Sequence, residues 1–169
     1  MKHEFVDGKV LAVYRDICFT DVSPRSHDAV GGSVYALLKL HLRDTPCRAY
    51  ISDMQVQVVA TGNSFYPDVV VSCEAEALTA DLTLTQPKVI VEVLSPTTAN
   101  YDRSEKFNQY RLMPSLLEYV LIDPASKTID IYRRLPSGDW LLAVADGEIG
   151  LILPTLNFSA SRETVFEDV

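Results

Sequence analysis

Two short segments of this 169-residue chain are almost continuously apolar, and they constrain the fold more than any other feature. The segments are YPDVVVSCE, residues 66–74, and PKVIVEVLS, residues 87–95. A strand with one solvent-facing side alternates apolar and polar residues. A continuous apolar run of this length is instead typical of a central strand that is covered on both faces. The two segments therefore predict a layered domain in which central strands are packed between other elements.

A helix is predicted in SPRSHDAVGGSVYALLKLHLRD, residues 23–44. Ser23 can cap this helix, and Pro24 suits its first position because proline lacks an N–H group that would be unpaired there. One apolar stripe follows at helical spacing, formed by Val30, Val34, Leu37 and Leu38. The pair Gly31-Gly32 costs about 1 kcal/mol per glycine in a free helix, and we interpret it as a mark of close approach to another element.

The remaining patterns indicate further strands and a second helix. EFVDGKVLAVYRD predicts one or two opening strands with a turn at Asp7-Gly8, and RAYISDMQVQVVA predicts a strand with one polar face. NYDRSEKFNQYRLM predicts a helix that begins near Asp102 and ends at Pro114, and LLEYVLID and TIDIYRR predict two later strands. The order of elements predicts one α/β (α+β) domain, residues 1–169, around a mixed β-sheet flanked by helices.

Composition argues against a membrane protein, a secreted protein and a zinc-binding or disulfide-bonded protein, and it also counts against a nucleic-acid-binding protein. No apolar run reaches the roughly 20 residues that span a bilayer, and MKHEFVDGKV lacks the apolar stretch of a signal peptide, so we expect a cytoplasmic protein with no membrane segment. Cys18, Cys47 and Cys73 are odd in number and far apart, which predicts reduced cysteines rather than zinc ligands or disulfides. The net charge of −8 counts against binding of a polyanion.

One carboxylate lies in each of the two apolar segments, Asp68 in the first and Glu92 in the second. An unpaired buried charge is strongly unfavourable, so each acid needs a partner or both converge on a cation. If the strands are neighbours, alternation allows both carboxylates to lie on the same face. Two such carboxylates on a rigid sheet, with room for water, suit Mg²⁺ or Mn²⁺.

Lys106 is the candidate cationic group, 14 residues after Glu92 in the second predicted helix. Its ammonium could orient a water molecule or stabilise charge that develops on a phosphoryl group. A structural alternative stays open at this point. Glu92 could form a buried ion pair with Lys106 or Arg103, while Asp68 caps a turn after Pro67.

The segments YPDVVV, VIVEVLSPTTANYDRSEKFNQYR and EYVLIDP together resemble the Uma-type restriction endonuclease family, which belongs to the PD-(D/E)XK phosphodiesterase superfamily. The resemblance extends to HEFVDGKVLAV, CRAYISDMQVQV and GLILPTLNFSASRETVF. It implies a restriction-endonuclease-like fold, with Asp68, Glu92 and the backbone carbonyl of Val93 as metal ligands. The superfamily's usual lysine position, two residues after the glutamate, holds Leu94 here, and the resemblance implies that Lys106 takes its place.

The resemblance also defines the expected activity and its rival. It implies a Mg²⁺-dependent endonuclease that hydrolyses phosphodiester bonds, with nucleic acid, most simply DNA, as substrate. We also expect a homodimer, because cutting both strands of a duplex is simplest with two sites related by a two-fold axis. His27 is a further site candidate as a ligand or proton carrier, and Asp53 as a third acid. The rival hypothesis is a catalytically inert protein that keeps the fold as an assembly or binding module, because fold alone does not determine function.

Overall fold

The computed structural model describes residues 3–12, 24–73, 83–145 and 149–169. The strands are β1 (His3–Val6), β2 (Lys9–Ala12), β3 (Arg48–Ile51), β4 (Gln55–Val58), β5 (Asn63–Phe65), β6 (Val69–Ser72), β7 (Thr83–Leu84), β8 (Pro87–Val93), β9 (Glu118–Asp123), β10 (Thr128–Arg134), β11 (Trp140–Val144), β12 (Ile149–Leu153) and β13 (Phe158–Ser161). The helices are α1 (Pro24–His41), α2 (Ala99–Tyr101), α3 (Phe107–Tyr110) and α4 (Arg162–Val165). A π-helical turn, Asp102–Lys106, joins α2 to α3, and a 3₁₀ turn, Pro154–Leu156, joins β12 to β13. Among the helices in these ranges, none combines the length and apolar character that crossing a bilayer requires.

A six-stranded mixed sheet forms the centre of the fold. Its strand order is β11-β10-β9-β8-β6-β3, in which β8 and β9 are parallel and the other neighbours are antiparallel. A mixed sheet flanked by helices confirms the predicted α+β class. The two apolar segments supply β6 and β8, which are adjacent, with Val69 opposite Val91 and Val70 opposite Ile90.

Both faces of β6 and β8 are covered, as the continuous apolar runs predicted. On one face, the alternate valines of the two strands pack with the apolar stripe of α1, in which Val30, Val34 and Leu38 are fully buried. On the other face, Val70, Ile90 and Leu94 pack with Tyr110 of α3 and with Tyr119 of β9. The helix α1 also begins at Pro24, as predicted.

A second sheet and a hairpin complete the structure. The second sheet has the order β2-β1-β5-β4-β7, and its apolar residues Val56, Val58 and Phe65 join the core on the α3 side. The hairpin β12–β13 contributes Leu151, Leu153 and Phe158 to the core on the α1 side. These additions give each face of the central sheet its own closed apolar layer.

The prediction of one strand through RAYISDMQVQVVA is wrong. The segment forms two strands that belong to different sheets, β3 in the central sheet and β4 in the second. Ser52 separates them with φ of 54°, a left-handed conformation that breaks strand pairing, and its N–H donates to the carbonyl of Asp68 at 2.9 Å. Asp53 therefore lies in a connection between sheets, not on the polar face of a strand.

The expectation that all cysteines are reduced is also wrong. Cys47 and Cys73 form a disulfide. Arg48 pairs with Ser72 in the antiparallel β3–β6 register, so the next residue outward on each strand lies opposite the other, and these residues are the two cysteines. A separation of 26 residues in the chain conceals this proximity, because only strand register creates it. Cys18 lies outside the described residues.

Candidate active site

Asp68 directly precedes β6. The beginning of β6 lies beside the C-terminal end of β8, because the two strands are antiparallel. Pro67 favours extended backbone at the residue before it, which leads the chain into the strand. The carboxylate Oδ2 of Asp68 accepts the backbone N–H of Val93 at 2.8 Å, and His27 Nε2 lies 3.4 Å from the same oxygen. The Asp68 side chain is 21% exposed, so this acid stays accessible while it is held at two points.

Glu92 lies near the end of β8 and is almost fully buried. It shares a face of β8 with Ile90 and Leu94, as alternation predicted. Its Oε1 accepts hydrogen bonds from Lys106 Nζ at 3.1 Å and from the hydroxyl of Tyr110 at 3.2 Å. The structure thus contains the ion pair that the structural alternative described, with Lys106 rather than Arg103 as the partner, since Arg103 bonds to Asp130.

Lys106 lies at the end of the π-helical turn and is also buried. Its Nζ lies 3.0 Å from Asp102 Oδ1 and 3.7 Å from Glu4 Oε1, in addition to its bond with Glu92. The helix begins at Ala99, three residues before the predicted start, and the π turn within it places Asp102 and Lys106 inward together. Single π-helical turns occur often at functional sites. We call Glu4, Glu92, Asp102 and Lys106 the buried charge cluster.

Three acids and one base make up the buried charge cluster, and burial together with their mutual charges shifts the pKa values of Glu92 and Lys106. Burial raises the pKa of Glu92 well above its usual range, the charges of Asp102 and Asp68 raise it further, and Lys106 only partly opposes them. Burial alone would lower the pKa of Lys106, but the charges of Glu92, Asp102 and Glu4 outweigh burial and raise it. The ammonium is therefore firmly protonated, and the cluster has a surplus of negative charge that a proton or a cation can neutralise.

An open pocket of about 250 Å³ lies beside the buried charge cluster. Its lining residues are His27, Asp28, Gly31, Gly32, Ile51, Ser52, Asp53 and Asp68. Both weaker candidates, His27 and Asp53, thus line the same pocket as Asp68. The expected close approach at the glycine pair is wrong: a Cβ atom at Gly32 would meet no described atom within 4 Å, and one at Gly31 would make an ordinary 3.8 Å contact with Val93.

His27 and Asp68, which both line the pocket, shift each other's pKa values. Burial opposes protonation of His27, but the hydrogen bond and charge of Asp68 and the charge of Asp28 raise the pKa of His27 above its usual value. Burial likewise raises the pKa of Asp68, yet His27 and the Val93 N–H outweigh burial and lower it. Asp68 is therefore held ionised beside the pocket.

The hydrogen bond from Val93 to Asp68 joins the two regions. Glu92 is the residue before Val93, so the two carboxylates flank one peptide of β8, although Glu92 and Lys106 do not line the pocket. Within the described ranges, no three His, Cys, Asp or Glu side chains form a ready metal site. Two carboxylates on either side of the Val93 peptide, a backbone carbonyl and water nevertheless suit Mg²⁺. With the surplus of negative charge, the donor set at this junction fits a divalent cation.

Comparison with known proteins shows the family to which this chain belongs. The sequence profile of Uma2, described as "Putative restriction endonuclease", matches residues 1–163. The chain belongs to the Uma2 family. Two similar proteins of Synechocystis sp., "Uncharacterized protein slr1290" and "Uncharacterized protein sll1609", are 32% and 31% identical over 98% and 87% of this chain, and over 83% and 80% of their own lengths.

A solved structure agrees with the fold of this Uma2 protein. The crystal structure of "a putative nuclease belonging to DUF820" from Anabaena variabilis superposes with a TM-score of 0.76 at 17% identity, and the match covers 98% of this chain and 89% of that one. This similarity confirms the restriction-endonuclease-like architecture, and the family match confirms the resemblance identified in the sequence.

Sequence reasoning missed two acids of the buried charge cluster and one at the pocket. Glu4 carries no signal, because β1 buries this glutamate and exposes the neighbouring Phe5 to 41%, the reverse of hydrophobic patterning. Asp102 does carry a signal, since it lies four residues before Lys106 on one helix. Asp28, which lines the pocket, follows the predicted candidate His27 directly.

Proposed function

We propose that this Uma2 protein is a metal-dependent nuclease that hydrolyses phosphodiester bonds in DNA. The observation that carries the proposal is the 2.8 Å hydrogen bond from Val93 N–H to Asp68 Oδ2. It joins an ionised acid on an open pocket to a buried glutamate that is surrounded by further acids. Structural ion pairs alone would not require an accessible carboxylate at that position, so the arrangement favours a site that receives a cation.

In this proposal, Asp68, Glu92 and the carbonyl oxygen of Val93 hold Mg²⁺ or Mn²⁺. The chemistry that a bound divalent ion supplies is stabilisation of charge on the scissile phosphate and activation of water near neutral pH. Asp68, already ionised, contributes the accessible ligand. Lys106, which does not line the pocket, holds Glu92 in place through its 3.1 Å contact and adds positive charge behind the carboxylates.

The remaining assignments belong to the same proposal. His27 is positioned at 3.4 Å from Asp68 to act as a further ligand or a proton carrier, and Asp53 lines the pocket as an additional acid. A two-fold homodimer would supply one site per strand of a DNA duplex.

Binding of Mg²⁺ and Mn²⁺ by calorimetry, together with DNA cleavage assays, tests the proposal. The variants Asp68→Asn and Glu92→Gln each replace a carboxyl group with an amide and keep side-chain size. Glu105→Gln is the matched control, because Glu105 lies on the same π-helical turn but is exposed. We expect metal binding and cleavage in the wild type and in Glu105→Gln, and the loss of both in Asp68→Asn and Glu92→Gln.

Two results would overturn this assignment. Metal-dependent cleavage that survives in both Asp68→Asn and Glu92→Gln would place the chemistry elsewhere. Absence of both metal binding and cleavage in the folded wild type, on single-stranded and duplex DNA, would instead support the inert assembly or binding module. A binding module for DNA would still lose affinity steeply as salt rises, whereas a protein without affinity for DNA would not bind at any salt concentration.

A further inference from the structure

Three carboxylates lie within 4 Å of the Lys106 ammonium. An ammonium carries three N–H groups. The three nearby carboxylates come from three different elements: Asp102 of the π-helical turn at 3.0 Å, Glu92 of β8 at 3.1 Å, and Glu4 of β1 at 3.7 Å. Glu4 thus completes the surroundings of Lys106 from the second sheet, which otherwise holds no residue of the site.

The orientation of β1 favours this contact over hydrophobic burial. Glu4 is 7% exposed while the adjacent Phe5 is 41% exposed. A shift of one residue in the register of β1 would bury the phenylalanine and expose the glutamate, which is the usual preference. The contacts that Glu4 makes inside offset the cost of the observed register. Its Oε1 lies near Lys106, and its Oε2 accepts a hydrogen bond from the hydroxyl of Tyr101 at 3.4 Å.

The turn at the end of β1 is tied to the helix that carries Lys106. The N–H of Asp7 donates to Asn63 Oδ1 at 3.0 Å, and Asn63 Nδ2 donates to Gln109 Oε1 at 2.9 Å. Gln109 lies on α3, three residues after Lys106. The β1–β2 hairpin is therefore held against α2 and α3 at both Glu4 and Asp7, which keeps the Glu4 carboxylate at a defined distance from Nζ.

We propose that Glu4 is a positioning residue for Lys106, which acts through the ammonium and does not touch substrate. Glu4 limits the positions that Nζ can occupy, so that the Lys106 charge stays beside Glu92. The catalytic consequence rests on the proposed nuclease function, but the positioning itself does not. The two can therefore be tested by separate measurements.

Side-chain NMR of ¹⁵N-labelled lysine measures the positioning directly. A buried, hydrogen-bonded ammonium exchanges slowly with water, so we expect a resolved Nζ signal that disappears in Lys106→Met. In Glu4→Gln, we expect that signal to shift and broaden, while Glu105→Gln leaves it unchanged. Tyr101→Phe removes the other partner of Glu4 and should shift the same signal by a smaller amount, which also provides a result if Glu4→Gln does not fold.

Cleavage kinetics measure the consequence. We expect Glu4→Gln to lower kcat about tenfold with KM changed by less than about twofold, because supporting residues of this kind typically cost 10–100-fold in activity. An unchanged Nζ signal in folded Glu4→Gln and Tyr101→Phe would overturn the positioning role, whatever the kinetics. A changed Nζ signal in a protein whose wild type cleaves no DNA would support positioning and refute the nuclease function.

Discussion

The two acids that the sequence singles out lie in opposite environments. Glu92 is buried among like charges, and its pKa is raised, whereas Asp68 faces an open pocket and its pKa is lowered by His27 and a backbone N–H. Both belong to neighbouring strands of one sheet, and a single hydrogen bond through Val93 joins their surroundings. Separation of two nearby pKa values by environment is how many enzymes assign different roles to the same functional group.

The difference shows why the structure has both a buried charge cluster and a pocket. A buried surplus of acid holds Lys106 protonated and fixed, but it is closed to substrate. The pocket is accessible, but the described residues that line it include acids and a histidine and no lysine or arginine. Phosphate chemistry needs both an accessible surface and positive charge, and neither region has both. A cation bound at Asp68 would lie between the pocket and the buried charge cluster.

The largest expected effect is a difference in stability loss between a substitution in the buried charge cluster and one at the pocket. Lys106→Met removes the one base of the buried charge cluster and leaves its acids without a cationic partner, so we expect the free energy of unfolding at neutral pH to fall by about 3–5 kcal/mol. Asp68→Asn changes a partly exposed group and should cost only about 1 kcal/mol. Urea denaturation of both variants measures the difference.

Two further measurements sharpen this result. The cost of Lys106→Met should shrink at acidic pH, because Glu92, whose pKa is raised by burial, is then protonated. Arg103→Met is the control, since the Arg103 side chain is more exposed and pairs with Asp130 outside the cluster. Equal costs for Lys106→Met and Asp68→Asn would contradict the contrast between a closed and an open region.

The sequence predicts the central part of the fold well because its signals there are local and strong. Continuous apolar runs predicted β6 and β8, alternation predicted the face of Glu92, and Pro24 predicted the start of α1. The boundary between β3 and β4 was missed, because Ser52 turns the chain without the glycine or proline that usually marks a turn.

The site was only partly predictable because its contacts are not local. The acids and the lysine could be selected as candidates from residue type and spacing, but Glu4 joins Lys106 from a distance of 102 residues, against the hydrophobic pattern of its own strand. The Cys47–Cys73 disulfide depends in the same way on strand register rather than on spacing. Contacts between sheets follow from tertiary packing, which a single strand's pattern does not encode.

A smaller effect concerns the pH dependence of the pocket. The folded-state pKa of His27 is raised above the usual histidine value of 6.5, so the stability that its charge contributes is fully present below that value. This contribution is lost as pH rises through the folded pKa. We expect His27→Gln to cost about 1 kcal/mol below about pH 6 and progressively less at higher pH, measured by urea denaturation across the pH range.

The partner of His27 supplies the control for this prediction. In an Asp68→Asn background, most of the pH-dependent cost of His27→Gln should disappear, because Asp68 is the main group that raises the pKa. The charge of Asp28, 3.7 Å from His27 Nδ1, should leave a small remainder. A cost of His27→Gln that is the same at every pH would show that the pair does not exist in solution.

The smallest effect tests whether the pocket is open space. Gly32 lies within α1, where glycine is less favourable than alanine by about 0.5–1 kcal/mol, and no described atom lies within 4 Å of a Cβ built there. Gly32→Ala should therefore stabilise the protein by roughly that amount. Gly32→Leu should retain stability close to that of wild type but fill part of the pocket, and so weaken DNA cleavage. Destabilisation by Gly32→Leu as large as that of Lys106→Met would mean that the pocket is as tightly packed as the buried charge cluster, and the contrast between the two regions would fail.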